Sequence, residues 1–321
     1  MSEAIFPASE WQEPVETGWS EEHRAHLVRE LSAGGSTALI VVEGGKPVFQ
    51  WGDLALKSSV ASVRKSLISI LYGIYVAEGR IKLDETLQDL RIDDIGGLTD
   101  RERQATVEHL LQARSGVYHP SVYDTARGRP LREEYAPGSF WYYNNWDFNV
   151  LATIFERQTG ETVFDALESR LAVPLLMQDY VREDGRYQHG PESEHPVYKL
   201  RFSARDLARV GLLYLRNGRW GANQVVPETW VRESVRAHSD LGGGRGYGYL
   251  WWTAEAHAPG DAISTHTPLF YASGLGGQYI VVITTLDLVV VHRAARVDHG
   301  ITHDRMGKIL RLAIAAMLER G

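Results

Sequence analysis

Residues 59–69 read Ser59-Val60-Ala61-Ser62-Val63-Arg64-Lys65-Ser66-Leu67-Ile68-Ser69 and run on into an almost uninterrupted apolar stretch. Leu67, Ile68, Leu71, Ile74 and Tyr75 fall on the period of a buried helix, which predicts a helix over Ser62–Gly79. Ser62 stands at its start and Lys65 one turn further on, and residues three apart share a helix face. A serine hydroxyl is a weak nucleophile at neutral pH and needs an adjacent base. A lysine amine serves if burial and nearby positive charge lower its pKa. The helix start adds backbone amides and a positive dipole, both suited to a developing oxyanion. Taken alone the spacing has little specificity. With 20 serines and 6 lysines in 321 residues, chance gives about 0.4 such matches, and a serine N-cap followed by a surface lysine leaves the same letters.

Composition narrows the chemistry from outside. The chain has 44% hydrophobic and 23% charged residues, an ordinary globular balance in one large domain or two packed lobes. Its 34 Lys+Arg stand against 41 Asp+Glu, a net charge of -7, with no basic surplus of the kind nucleic-acid binding uses. With no cysteine, disulfides, thiolate metal sites and a cysteine nucleophile are excluded. The acidic start, MSEAIFPASEWQEPVETGW, has no basic region followed by an apolar one. The expectation is a cytoplasmic protein without a membrane partner.

Working outward from Ser62, Ser20–Ser32 reads as a serine-capped helix closed by Gly34-Gly35. Strands are expected at Thr37–Glu43 and Pro47–Trp51, joined by a glycine-pair hairpin. From Leu83 to Val235 the pattern is mostly helical, with pieces at Thr106–Ala113, Phe148–Thr159, Val163–Leu171, Ala204–Arg216 and Pro227–Val235. Strands return at Tyr247–Thr253, Leu269–Ser273, Tyr279–Thr285 and Leu288–Ala294, before a last helix from His303 to Arg320. The simplest assembly is a two-lobed α/β (α+β) fold. Residues 20–82 and 237–321 form an antiparallel sheet covered by the terminal helices, 83–236 form a mainly helical inserted lobe, and 1–19 are an N-terminal extension. The active site then lies between the lobes.

Two further stretches carry chemistry. Pro137-Gly138-Ser139-Phe140-Trp141-Tyr142-Tyr143-Asn144-Asn145-Trp146 offers two overlapping Tyr-x-Asn readings, Tyr142/Asn144 and Tyr143/Asn145. A phenol beside an ammonium can shuttle protons, and an asparagine can orient a lysine or a carbonyl; aromatic filling of the lobe is the plainer alternative. In Tyr271-Ala272-Ser273-Gly274-Leu275-Gly276-Gly277-Gln278, the glycines mark either a turn or a backbone approached closely by another group.

The three stretches together resemble the serine β-lactamase and penicillin-binding protein superfamily, in its class C-like esterase and 6-aminohexanoate-dimer hydrolase branch. HLLQARSGV (109–117), FSARDLARVGLLYLRNGRW (202–220), YGYLWW (247–252) and GLGGQYIVVITTLDLVVVHR (274–293) continue the resemblance in order. It implies a β-lactamase/transpeptidase-like fold and a serine hydrolase of esters or amides. Ser62 would be the nucleophile, Lys65 its base, Tyr143 the proton relay and Asn145 the orienting amide. The amides of Ser62 and Leu275 would hold the oxyanion. Ser273, Gly274, Tyr118 and Trp146 are candidates for substrate contacts. The family's third motif, Lys-Thr-Gly or a His-containing variant, corresponds to Ala272-Ser273-Gly274, which lacks its cation. Small esters, amides or lactams are the implied partners, with no cofactor and no metal. The rivals are a class C-type β-lactamase or D-Ala-D-Ala carboxypeptidase, and a non-catalytic ligand-binding homologue.

Three other features suggest only local roles. His299-x-x-x-His303 with Asp298 and Asp304 lacks a third ligand in context and reads as solvated helix capping. Gly242–Gly248 reads as a connection beside the cleft, and Arg127 to Glu134 as a solvated loop. Trp141, Trp146, Trp251 and Trp252 are candidates for an aromatic wall near the serine or for core packing.

Overall fold

The computed structural model describes residues 6–16, 18–123, 128–296 and 298–319. In chain order the elements are α1 (Glu21–Ser32), β1 (Ala38–Glu43), β2 (Lys46–Gly52), β3 (Ser58–Ser59), α2 (Val63–Ala77), α3 (Val107–Leu111), α4 (Asn145–Thr159) and α5 (Val163–Leu167). There follow β4 (Gly185–Gly190), β5 (Ser193–Phe202), α6 (Ala204–Leu215), β6 (Arg219–Trp220), β7 (Asn223–Gln224) and α7 (Glu228–Ser234). The chain closes with β8 (Ser239–Gly242), β9 (Arg245–Tyr247), β10 (Trp252–Ala254), β11 (Leu269–Gly274), β12 (Gln278–Ile283), β13 (Leu288–Arg293) and α8 (His303–Leu318). The helix expected to reach Arg320 is described to Leu318, and Arg320 lies outside the described residues.

Both ends of the chain build one eight-stranded sheet in the order β2-β1-β13-β12-β11-β10-β9-β8. Neighbouring strands pair antiparallel throughout. β12 and β13 are buried along their whole length, which explains their continuous Val/Ile composition: each covers a core on both faces. On one face Leu39, Val41, Val281 and Val290 meet Leu27 and Leu31 of α1 and Met306, Ile309 and Leu310 of α8. On the other, Ile40, Val42, Ile280, Val282, Val289 and Val291 join the core that contains α2 and the helical lobe.

Four expectations need correction. α6, expected in the inserted lobe, packs on the sheet: a Cβ at Gly211 would lie 2.4 Å from Val289 Cγ1, so this glycine lets the helix close on β13. The single strand expected at Tyr247–Thr253 is a tight hairpin, with Trp252 opposite Tyr247 and Leu250 at φ 64°. The glycine-rich connection before it is likewise a hairpin, β8–β9. The stretch between α5 and α6 carries strands, β4 and the ten-residue β5, the second of which also pairs with β3 just before Ser62. In the loop read as solvated, Arg127 lies outside the described residues, while Arg132 donates to the buried Glu102 carboxylate. Residues 6–16 lie along the body, where Arg209 donates to Ala8 O and Val15 N to Pro47 O. No helix among the described residues is long and apolar enough to cross a membrane.

Candidate active site

α2 is buried on every side for thirteen of its residues, from Val63 to Tyr75, so its direction is fixed by packing rather than by propensity. Gly73 lies so close under the Trp230 ring that a Cβ would come within 2.3 Å of it. Ser66 Oγ donates to Leu250 O at 2.7 Å, tying the first turn to the β9–β10 turn. Immediately before the helix, Ala61 takes a left-handed φ of 46°, unusual for a residue with a side chain. The chain thereby turns out of β3 and presents Ser62 at the helix start.

Lys65 reaches three side chains at once. Its Nζ is 2.6 Å from Tyr143 Oη, 3.0 Å from Asn145 Oδ1 and 3.1 Å from Ser62 Oγ. The amine is 2% exposed. Burial, reinforced by the neighbouring Arg64 charge, holds its pKa well below the usual lysine range. The faces of Tyr143 and Phe148 lie 4.1 and 4.4 Å from Nζ, so an ammonium formed there transiently meets two π-systems. Burial also raises the Tyr143 phenol, against smaller lowering contributions from Ser62 and Arg64.

Tyr143, and not Tyr142, meets the lysine; Tyr142 packs edge-on against Tyr118. The start of α4 explains this. Asn144 is its N-cap, accepting from Trp146 N and donating to Val117 O and Asp147 Oδ1. Asn145 is the first helical residue and turns towards Lys65, its Nδ2 held by Tyr123 O. Asp147, fully buried and pushed well above the usual carboxylate range by that burial, also accepts from Ser115 Oγ. Ser115 and Asp147, not singled out in the sequence, brace the Tyr-x-Asn turn.

The end of β11 closes the other side. A Cβ at Gly274 would lie 2.4 Å from Val60 O and 3.1 Å from Ser62 N, so only glycine lets this strand approach the serine so closely. Ser62, Tyr143, Trp252, Ser273, Gly274 and Leu275 line one cavity of ≈ 540 Å³. His292, buried in β13, fixes the turn after Leu275 by a 2.6 Å hydrogen bond from Nδ1 to Gly277 O. Its burial lowers its pKa to about 4, which keeps it neutral.

Other candidates land elsewhere. Trp146 is fully buried, its Nε1 donating to Asp94 Oδ2 at 2.6 Å, so its side chain fills core instead of touching substrate. Tyr118 is 6% exposed and is not among the residues lining the Ser62 cavity. Trp251 is core, Trp252 is cavity wall, and Trp141 packs against Trp252 at 5.9 Å. Ala272 is wholly buried in the core, so no cation stands at that point of β11.

His303, read as a solvated cap, is a constituent of the cavity wall. Thr302 caps α8, while His303 Nε2 lies 2.9 Å from the buried Asp261 carboxylate and Nδ1 3.1 Å from Tyr279 Oη. Burial pushes the Asp261 pKa up, but hydrogen bonds from His303, Tyr271 and Ile263 N outweigh it and the net shift is downward. Nothing near residue 261 carried a motif, and only the pairing with His303 across the fold distinguishes it.

Comparisons with known proteins agree with this architecture. Esterase EstB of Burkholderia gladioli is 29% identical over 162 residues, covering 43% of this chain and 40% of that protein. A structure from Bacillus anthracis described as a candidate 6-aminohexanoate-dimer hydrolase superposes with a TM-score of 0.68 at 20% identity, covering 99% of this chain and 88% of that one. A penicillin-binding protein homologue from Caulobacter crescentus gives 0.70 at 15% identity, covering 95% and 99%. A family model described as Beta-lactamase matches residues 24–306, and the chain belongs to that family.

Proposed function

We propose that the protein is a serine hydrolase that cleaves ester or amide bonds through an acyl-enzyme on Ser62. One observation carries the reading: a single buried amine stands within hydrogen-bond reach of the serine, the tyrosine and the asparagine. With Lys65 neutral, its two N–H groups serve Asn145 Oδ1 and Tyr143 Oη, and its lone pair faces the Ser62 hydroxyl. Ser62 Oγ attacks the carbonyl carbon as its proton passes to Nζ. The new ammonium is stabilised by the Tyr143 and Phe148 rings until the proton moves, through Tyr143, to the leaving group. Water then attacks the acyl carbonyl, giving its proton back along the same path, and the acid product leaves. The close approach of Gly274 supports the amides of Ser62 and Leu275 as oxyanion donors.

The resemblance to an esterase and a dimer hydrolase supports small esters or amides as substrates. The buried Ala272 weighs against the carboxylate recognition that β-lactamases make at this strand. Mass spectrometry after exposure to a fluorophosphonate should place the adduct on Ser62. Ser62→Ala should lose about 10⁴-fold or more of activated-ester turnover with an unchanged circular dichroism spectrum. Labelling of another residue, or undiminished turnover, removes Ser62 from this role.

A further inference from the structure

A second cavity of ≈ 570 Å³ shares Trp252 with the cavity at Ser62. Its lining includes Arg114, Trp141, Ser239, Arg245 and Trp252, so one indole lines both spaces. Four lining residues contribute a buried polar atom with no hydrogen-bond partner among the described residues: Arg114 Nε, Trp141 Nε1, Ser239 Oγ and Arg245 Nε. Buried polar groups are ordinarily paired, and each of these four carries a hydrogen to donate. The unmatched groups on these lining residues are all donors.

The charge around it points the same way. His238 has its pKa lowered, chiefly by burial, and its two nitrogens are engaged by Gln112 Nε2 and Glu233 O. Asp240 accepts from Gly242 N through Oδ1. Arg114 spends one nitrogen on His238 O at 2.9 Å. Among the lining residues, two guanidinium groups therefore outnumber the one carboxylate, beside an imidazole whose protonation burial disfavours. Planar N–H forks of this type recognise carboxylates in two-point fashion, and Phe140, Trp141 and Trp252 suit an apolar stem leading to such a group.

We propose that this cavity binds a carboxylate carried by the substrate, so that the natural substrate is an ester or amide with an acid group on its acyl or leaving side. The proposal rests on the Ser62 reading for the word substrate, but the subsite can be tested apart from it.

Two size-matched ester pairs test it: 4-nitrophenyl hydrogen glutarate against 4-nitrophenyl pentanoate, and 4-carboxyphenyl acetate against its methyl ester. In at least one pair the acid should be preferred by about tenfold or more in kcat/KM, chiefly through KM. Arg245→Gln should bring that ratio near one, and Arg245→Lys should restore part of it. A folding defect lowers both members of a pair together and leaves the ratio alone. Equal turnover within both pairs, or a preference that survives Arg245→Gln, overturns the subsite. Calorimetric titration of glutarate into the Ser62→Ala protein should show binding that the added Arg245→Gln change abolishes, and absence of binding also overturns the subsite. If instead the Ser62 reading is wrong, neither member of either pair is hydrolysed through Ser62, yet glutarate still binds.

Discussion

The spaces that share Trp252 are similar in size but differ in how the polar groups of their lining residues are partnered. On one side Lys65, Tyr143, Asn145 and Ser62 satisfy one another, and the surrounding turn is braced by Asn144, Asp147 and Ser115. On the other, Arg114, Trp141, Ser239 and Arg245 keep buried donors unmatched. A partnered cluster fixes proton positions before substrate arrives, which is what acid–base chemistry needs. An unpartnered one costs stability in the free protein and regains it when a ligand brings the missing acceptors. The contrast separates a place for reacting from a place for holding.

The largest blow to the reacting side, short of removing the nucleophile, is expected at Gly274. Gly274→Val puts a Cβ into Val60 O and against Ser62 N, forcing β11 away from the helix start. On the proposed mechanism the Ser62 and Leu275 amides then no longer converge on the oxyanion, and the loss of one such donor costs about 10²- to 10³-fold in kcat. Steady-state kinetics on a neutral ester should show this with KM little changed. A variant as fast as the parent would mean that the approach of β11 to Ser62 has no part in turnover.

Much of the reacting side was legible because its letters are local. The lysine follows the serine by one helical turn, and the tyrosine and asparagine are two residues apart. Choosing between Tyr142 and Tyr143 depends on which asparagine caps α4, a matter of one residue that the overlapping letters leave open. The holding side was not legible. Arg114 follows α3 and Arg245 lies on β9, 131 positions apart in the numbering, and although both lie in stretches quoted above, neither stretch assigns them a chemical role. The hairpin that presents Arg245 reads as a connection and a single strand, because four of the six residues of Tyr247–Trp252 are aromatic and hide its turn at Leu250. Trp146 misleads for a related reason: an indole beside the Tyr-x-Asn motif has the composition of a wall, and only its bond to Asp94 shows it faces inward. β5 was overlooked because polar residues and Pro196 interrupt its apolar positions, although burial alternates along much of its length.

Next in size is a shift within the partnered cluster. Arg64 is 6% exposed, its guanidinium carbon lies 4.6 Å from the Tyr198 ring centroid, and its charge opposes protonation of Lys65. Arg64→Met removes the charge while keeping much of the volume. The Lys65 pKa should rise towards its ordinary value, so less neutral base is present at a given pH. The acidic limb of the kcat/KM profile should therefore move to higher pH, by about one unit for a change near 1.4 kcal/mol. Turnover on the alkaline plateau should fall far less. A limb that stays in place, or moves to lower pH, would show that burial alone sets the lysine.

The smallest effect is the sharpest on the contrast itself, because two serines put it in opposite signs. Ser66 is buried and donates to Leu250 O; Ser239 is buried and its Oγ has no partner among the described residues. Ser66→Ala leaves a buried carbonyl without its donor, which should cost about 1–2 kcal/mol. Ser239→Ala removes a desolvated hydroxyl that gains nothing in the free protein, so it should be neutral or stabilise by about 1 kcal/mol. Urea midpoints at constant m-value measure both. A Ser239→Ala protein as destabilised as Ser66→Ala would mean that its hydroxyl is already satisfied in the free protein, and the two sides of Trp252 would no longer differ in kind. A stabilised Ser239→Ala protein that also binds glutarate more weakly would show the same hydroxyl costing stability until an acceptor arrives.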